Sequence, residues 1–170
     1  MPEAVSLATV DAEEFPAARM VLVKGTDERG VVFYTNVNSN KGRHLRANGK
    51  TAICAWWIDT ATQVRLRGIV EEVTTAEADA YFATRPRISR LGAWASDQSE
   101  EIPGREVLEA RVEEYARKYP GEDIPRPPHW TGFRLIPDEI EFWREGAYRL
   151  HDRLLYEREG TGWKTKVLSP

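Results

Sequence analysis

The sequence predicts a mainly β fold: an antiparallel barrel with helices packed outside, in a single domain over residues 1–170. Three observations support this prediction. Short apolar and β-branched runs are frequent, the links between them are hairpin-like, and few segments have helical periodicity. Strands do not alternate with helices and no G-x-G-x-x-G sequence is present, which argues against a parallel dinucleotide-binding sheet.

The first part of the chain is predicted to form strands around one short helix. The strands are expected at 5–10, 18–25, 31–36, 51–58 and 62–73, with a hairpin turn at 26–30. Within 38–49, Ser39 is a candidate N-cap and Asn48-Gly49 a stop signal, which predicts the helix. The strand at 62–73 alternates. One face holds Gln63, Arg65 and Arg67; the other, expected in the core, holds Val64, Leu66 and Val70.

The rest of the chain is predicted to contain two helices and the closing strands. Thr74 and Glu77 have capping-box spacing, and Pro86 should end that helix near Arg85. An amphipathic pattern predicts a helix over 106–119, and four prolines make 120–130 an extended connector. Strands are expected over 132–146 and 153–168, with a hairpin at 159–162 and the acidic run 137–141 as a solvated rim. In the pentad RLHDR, Arg149, His151 and Arg153 would share one strand face, with Leu150 and Asp152 on the other.

Composition excludes several classes of function. The net charge of −3 argues against wholesale binding of nucleic acid or acidic membranes, although a local basic pocket is compatible with it. No apolar run approaches the roughly 20 residues of a membrane span, and the N-terminus lacks the pattern of a secretion signal. The single cysteine, Cys54, lies in an apolar run and is expected to be an unreactive thiol with a raised pKa. A cytoplasmic location is the expectation.

Several basic and polar residues have the chemistry of anion binding. Lys41 lies in the first turn of the predicted helix, where free N–H groups favour a phosphate. Tyr81, Arg85 and Ser89 follow one another at four-residue steps and offer a phenol, a guanidinium and a hydroxyl. Tyr81 is equally interpretable as a core aromatic residue. His151 is either a site residue or a structural histidine held by Asp152 or the backbone. The three histidines have no metal-ligand spacing.

Two longer motifs connect these residues to a known family. The segment RPRISRLGAWAS at 85–96 and the pentad RLHDR at 149–153, with shorter matches in order from Leu7 to Pro170, resemble the pyridoxamine 5′-phosphate oxidase family. The resemblance implies an FMN-binding split barrel and a homodimer with two FMN sites at the subunit interface. It also implies oxidation of pyridoxamine or pyridoxine 5′-phosphate to pyridoxal 5′-phosphate, with dioxygen reduced to hydrogen peroxide.

The resemblance also assigns site residues. Arg19 and Lys41 would bind the FMN phosphate, and Gln63 would reach the flavin ring. Arg149 and His151 would be catalytic and hold the pyridine ring against the flavin. The substrate phosphate would be bound by Lys24, Tyr81, Arg85 and Ser89. The full set of implied FMN contacts is Arg19, Met20, Val21, Leu22, Val23, Lys24, Tyr34, Thr35, Lys41, Gln63, Gln98, Ser99, Trp143 and Arg153. No metal is implied.

Departures and alternatives qualify the resemblance. Asn40 stands where the family usually has arginine, which predicts weaker FMN binding. Relatives carry a longer N-terminal segment, so any lid which that segment supplies is either missing or lies outside this sequence. The alternatives are a same-fold FMN oxidase acting on another substrate, as in phenazine pathways, and a non-catalytic FMN- or pyridoxal-phosphate-binding protein. A barrel that binds RNA is disfavoured by the acidic balance and the lack of a basic stripe.

Overall fold

A computed structural model describes all 170 residues, 1–170. The chain forms eight strands and four α-helices. The strands are β1 (Ala4–Val10), β2 (Pro16–Asp27), β3 (Gly30–Asn36), β4 (Lys50–Trp57), β5 (Thr62–Glu72), β6 (Trp130–Arg144), β7 (Asp152–Glu159) and β8 (Gly162–Val167). The helices are α1 (Asn40–Ala47), α2 (Thr75–Thr84), α3 (Arg87–Ala95) and α4 (Arg105–Lys118).

The strands form one sheet that closes on itself. Their order is β3-β2-β1-β4-β5-β6-β7-β8, and β3 also pairs with β6. That additional pairing closes the first six strands into a barrel, while β7 and β8 continue the sheet from β6. The registers of β1 with β2 and β4, and of β6 with β7, are antiparallel, which confirms the predicted antiparallel barrel.

The chain divides into two compact units. The barrel unit comprises residues 1–33, 44–71 and 133–170, and the helical unit comprises residues 34–43 and 72–132. Leu7, Phe33 and Phe133 are fully buried in the barrel unit, and the rings of Phe33 and Phe133 stack at 6.1 Å. In the helical unit the buried side chains include Phe82 and Leu91. None of the helices has the length and hydropathy that a bilayer crossing requires.

The β2–β3 hairpin is fixed by a carboxylate and a glycine. Asp27 Oδ1 accepts hydrogen bonds from the backbone N–H groups of Arg29 and Gly30, and the buried Arg134 donates to Asp27 Oδ2 at 2.6 Å. Gly30 has φ +148°, and a Cβ at this position would lie 1.9 Å from the carbonyl oxygen of Leu135. Only glycine therefore allows β3 to approach β6 this closely.

Local sequence signals predicted several elements correctly. Thr74 and Glu77 form both hydrogen bonds of a capping box, and α2 ends at Thr84, directly before Arg85. On β5, Val64 is buried while Arg65 and Arg67 are exposed, as the alternation predicted. The helix α3 was not predicted. Pro86, interpreted from the sequence only as a helix stop, is also the N-cap of α3.

Candidate functional site

The strand β2 carries its side chains on two faces. Arg19, Val21 and Val23 are half-buried, whereas Met20, Leu22 and Lys24 are exposed. The register of β2 against β3 shifts between Val23 and Gly25, which places a bulge at Lys24. The two basic residues of the strand differ in exposure, since Arg19 is half-buried and Lys24 is exposed. Lys24 makes no hydrogen bond or ion pair within the chain.

Arg19 is anchored by one of its terminal nitrogens. Nη1 donates to the carbonyl oxygens of Leu7 (3.1 Å) and Ala17 (2.8 Å) and to Thr9 Oγ1 (2.7 Å). Burial lowers the pKa of the Arg19 guanidinium. Nε and Nη2 have no partner in the chain, so they remain available to an anion.

A group of aromatic rings lies where β4, β6 and the chain before β7 meet. The ring centroids of Trp143 and His151 are 4.4 Å apart, and those of Trp143 and Trp56 are 6.1 Å apart. Gln63 lies opposite Trp56 in the β4–β5 ladder, and its Oε1 accepts a hydrogen bond from Cys54 Sγ. Three predicted site residues, Gln63, Trp143 and His151, thus belong to one continuous surface of the barrel unit.

The pentad RLHDR does not form a continuous strand, so the prediction that Arg149, His151 and Arg153 share a strand face is wrong. Strand β7 begins only at Asp152, and Arg149 ends a short 3-10 turn in which it has φ 64° and Tyr148 has φ 57°. A left-handed backbone at two non-glycine residues is costly and reverses the direction of the chain. Arg149 is exposed and makes no hydrogen bond or ion pair within the chain.

The turn fixes the orientation of His151. Nδ1 of His151 accepts a hydrogen bond from the backbone N–H of Gly146 (3.2 Å), which leaves Nε2 as the nitrogen that can meet a ligand. A Cβ at position 146 would lie 1.9 Å from the carbonyl oxygen of Leu150, so glycine is required for the turn to close. Asp152 pairs with Arg144 at 2.6 Å rather than with an arginine of the pentad.

Arg153 is bound to a buried carboxylate. Its Nε donates to Glu141 Oε1 (2.9 Å) and its Nη2 to Glu141 Oε2 (3.3 Å), and Arg65 donates to the same carboxylate. Burial alone would raise the pKa of the Glu141 carboxyl, but hydrogen bonds from Arg153 and Arg65 hold it below its usual value. The sequence-based interpretation of this acidic run as a solvated rim is therefore wrong at Glu141, which is 5% exposed.

Replacement of Glu141 by glutamine is expected to lower the free energy of unfolding at neutral pH by about 2 kcal/mol, because two guanidiniums lose a charged acceptor. The folded-state pKa of Glu141 is depressed, so its contribution exists above the unfolded-state pKa and disappears as pH falls through the folded-state value. Urea unfolding of the wild type and of Glu141→Gln should show that the difference in their free energies of unfolding becomes smaller at acidic pH. Glu139→Gln, which alters the exposed pair with Arg67, should change little at any pH.

In the helical unit, four predicted cofactor residues form one polar cluster. Gln98 Oε1 accepts hydrogen bonds from Lys41 Nζ (3.0 Å) and Thr35 Oγ1 (3.3 Å), and Ser99 Oγ accepts one from the backbone N–H of Asn40 (3.3 Å). Thr35 is buried, while Gln98 and Ser99 are exposed. An ammonium, an amide and two hydroxyls in contact suit the oxygens of a phosphate.

A second cluster of the helical unit is built from stacked aromatic rings and a guanidinium. Tyr34 stacks on Tyr81 (centroids 4.0 Å apart) and on Trp130 (5.1 Å), and the guanidinium carbon of Arg85 lies 4.8 Å from the Trp130 ring. Arg85 Nη1 is buried and has no hydrogen-bond partner. Burial lowers the pKa of Arg85 and raises that of Tyr81, while the proximity of the two groups opposes both shifts. Ser89 lies in the first turn of α3, two residues after Arg87.

The hydrogen-bond donors at Arg85 and at Lys41 suit the phosphate groups of the substrate and of FMN that the family resemblance implied. A buried guanidinium nitrogen with no partner is costly unless an anion binds there. The arrangement of Arg85 with Tyr81 therefore suits a phosphate, and the cluster at Lys41 suits another. No group of three or more histidine, cysteine, aspartate or glutamate side chains is arranged to hold a metal ion.

Sequence reasoning missed three residues that contact the predicted site residues: Trp130, Glu141 and Thr9. Trp130 was interpreted as the end of a connector, although it is 7% exposed and forms the platform beneath Arg85. Glu141 and Thr9 were missed because their partners lie on other strands and, for His44, on α1. His44 on α1 is half-buried, and its Nδ1 lies 3.0 Å from Thr9 Oγ1. Cys54 is half-buried and burial raises its pKa, as predicted.

Comparison with known families gives two matches that together cover most of the chain. Residues 1–119 match the family model described as pyridoxamine 5′-phosphate oxidase. Residues 130–170 match the model described as the pyridoxine 5′-phosphate oxidase C-terminal dimerisation region.

Individual proteins give the same result. The chain is 54% identical over 171 residues to the pyridoxine/pyridoxamine 5′-phosphate oxidase of Azorhizobium caulinodans, covering 99% of this chain and 81% of that protein. It is 55% identical to the protein of the same name from Nostoc punctiforme, covering 99% and 79%. Among solved structures, PhzG from Burkholderia lata in complex with tetrahydrophenazine-1-carboxylic acid is similar with a TM-score of 0.93 and 36% identity, covering 99% and 83%.

Proposed function

The chain belongs to the pyridoxamine 5′-phosphate oxidase family, and from this premise we propose that it is the FMN-dependent oxidase of vitamin B6 phosphates. The reaction converts pyridoxamine 5′-phosphate or pyridoxine 5′-phosphate to pyridoxal 5′-phosphate, with dioxygen reduced to hydrogen peroxide. When bound, FMN supplies the redox chemistry, which no side chain of the protein can provide.

The observation that carries the proposal is the guanidinium of the half-buried Arg85, whose Nη1 is buried. Nη1 has no partner in the chain, and the guanidinium carbon lies 4.8 Å from the centroid of the Trp130 ring and 5.6 Å from that of the Phe82 ring. A positive group that is desolvated and unpaired in the free protein is preorganised for an anionic ligand. The 5′-phosphate of the substrate supplies such an anion, which Tyr81 and Ser89 can also contact.

The other predicted site residues are assigned to FMN or to the substrate. In the helical unit, Lys41, Gln98, Thr35 and Ser99 contact FMN, with Lys41 at its phosphate. In the barrel unit, Arg19 contacts an FMN phosphate. Trp143, Gln63 and Arg153 position the flavin ring. Arg149 covers the substrate and stabilises charge that develops on it, while Nε2 of His151 holds the pyridine ring or its phenolic oxygen. These contacts contribute orientation, which in favourable cases lowers a barrier by roughly 7–11 kcal/mol.

The proposal includes a homodimer and a cytoplasmic location. Several large apolar side chains of the barrel unit are exposed: Met20, Leu22, Trp56, Ile69 and Phe142. Such a set on a sheet surface is typical of a subunit interface, and the C-terminal match carries the description of a dimerisation region. The cytoplasmic location is supported by the single cysteine, which is unpaired.

Two other functions make different predictions. A PhzG-like oxidase acting on an unphosphorylated tricyclic acid would have no need for the half-buried Arg85. A non-catalytic flavin-binding protein would have no need for Arg149, which is exposed and free at the end of its turn. Both residues therefore favour the oxidase of vitamin B6 phosphates.

Spectroscopy of the purified protein tests the function. The protein with bound FMN should be yellow, and its flavin absorbance should bleach when pyridoxamine 5′-phosphate is added without air. Admission of oxygen should restore the absorbance and leave pyridoxal 5′-phosphate and hydrogen peroxide in solution. Flavin that stays oxidised with this substrate, and with pyridoxine 5′-phosphate, would reject the proposal.

A further inference from the structure

We propose that Thr9 is a positioning residue for the cofactor phosphate, acting through Arg19. This inference rests on the proposed function and on the expected role of Arg19, and extends both to a residue that contacts neither flavin nor substrate. The relevant side chains all lie in the barrel unit: Thr9 on β1, Arg19 on β2 and His44 on α1.

Thr9 has a hydroxyl where the pattern of β1 calls for an apolar side chain. The buried positions of β1 are Val5, Leu7 and Thr9, and Thr9 is only 1% exposed. A buried hydroxyl costs free energy unless it is hydrogen-bonded. A valine of nearly the same shape would fill this position without that cost, so the hydroxyl calls for an explanation beyond packing.

The hydroxyl is bonded on both sides. Its oxygen accepts a hydrogen bond from Arg19 Nη1 at 2.7 Å and lies 3.0 Å from His44 Nδ1. Because a guanidinium can only donate, the hydroxyl proton is left for Nδ1 of His44. His44 thereby orients the hydroxyl so that a lone pair of Thr9 faces Arg19.

The contact holds one end of the Arg19 guanidinium and leaves the other end without a partner. Thr9 and the carbonyl oxygens of Leu7 and Ala17 engage Nη1 alone, and Nε and Nη2 have no partner. A free arginine side chain loses rotamer freedom, and hence conformational entropy, when it is fixed. Arg19 is already fixed before an anion binds, so less of that loss falls on the binding step.

Thr51 provides a matched control. It faces Thr9 in the β1–β4 ladder, is also buried, and donates its hydroxyl proton to the carbonyl oxygen of Ala8. A change of Thr51 to valine therefore removes a buried hydroxyl from the same region without touching Arg19.

The test compares FMN with riboflavin, which lacks the phosphate, by titrating the apoprotein and following quenching of flavin fluorescence. In Thr9→Val we expect the Kd for FMN to rise about tenfold and the Kd for riboflavin to stay unchanged. Thr9→Ser, which keeps the hydroxyl, should bind FMN like the wild type, and Thr51→Val should leave the ratio of the two Kd values unaltered.

Three results would overturn the inference. An unchanged Kd for FMN in Thr9→Val would show that the hydroxyl does not position Arg19. Equal weakening of FMN and riboflavin would show that the hydroxyl acts on the barrel in general. Equal Kd values for FMN and riboflavin in the wild-type protein would show that Arg19 does not contribute to binding of the phosphate. If Thr9→Val does not fold, Thr9→Ala against Thr9→Ser gives the same comparison, since these two differ only in the hydroxyl.

Discussion

Replacement of Arg85 by alanine is expected to lower kcat/KM for pyridoxamine 5′-phosphate roughly a hundredfold, mainly through KM. The guanidinium lies over the ring of Trp130, and its Nη1 is buried and unpaired, so a phosphate bound there would form a charge-assisted contact in a poorly solvated place. Loss of one partner of such a contact costs about 3 kcal/mol, which corresponds to a factor of about a hundred.

The measurement is steady-state oxidation of the phosphorylated substrate beside unphosphorylated pyridoxamine or pyridoxine. Activity on the unphosphorylated compounds, although low, should be nearly the same in Arg85→Ala and the wild type. Arg87→Ala is the control, because Arg87 lies on the other side of Pro86 and bonds the carbonyl oxygens of Tyr119 and Gly121. Equal losses on both kinds of substrate would mean that Arg85 supports the aromatic stack and does not bind phosphate.

Replacement of Arg149 by alanine is expected to reduce kcat by a factor of about 10² to 10³ and to leave the Kd for FMN unchanged. The reduction is the size seen when one preorganised group that stabilises developing charge is removed from an active site. FMN affinity should hold because Arg149 makes no hydrogen bond or ion pair within the chain and supports no other predicted cofactor residue.

Arg149 also has a strained backbone. A second variant must therefore distinguish the loss of the guanidinium from a change in the backbone of the turn. Arg149 has φ 64°, a conformation in which glycine is unstrained. Arg149→Gly should therefore form the turn easily and still be as inactive as Arg149→Ala. Substantial turnover in Arg149→Gly would assign the effect to backbone geometry, and normal turnover in Arg149→Ala would remove the residue from the mechanism.

Local patterns in the sequence predicted the parts of the fold whose causes are local. The alternation of β5 follows from residues two apart, and the capping box of α2 from Thr74 and Glu77, three residues apart. Both are fixed by short-range geometry. The helix α3 was missed because proline at a helix stop is equally suited to begin the next helix, and the sequence between 87 and 95 contains a glycine and two aromatic or branched residues with modest helix propensity.

The assignment of individual site residues depends on the family resemblance alone and stays a prediction, and the geometry of the site could not be predicted from the sequence. Periodicity treats RLHDR as a strand because it cannot detect the left-handed backbone at Tyr148 and Arg149. The acidic run was misread at Glu141 because its partners, Arg65 and Arg153, come from β5 and β7. Contacts between residues on different strands cannot be predicted from the spacing of residues within either strand.

The unpaired nitrogen of Arg85 also has a consequence for the stability of the protein. A desolvated donor without an acceptor lowers the free energy of unfolding of the free protein, and a phosphate ester bound to Arg85 as proposed would supply the missing acceptor. On this proposal, heat resistance and substrate occupancy would be thermodynamically linked through one side chain. A cell that is depleted of B6 phosphates would hold this enzyme in its less durable form, and abundant substrate would protect it from unfolding and proteolysis.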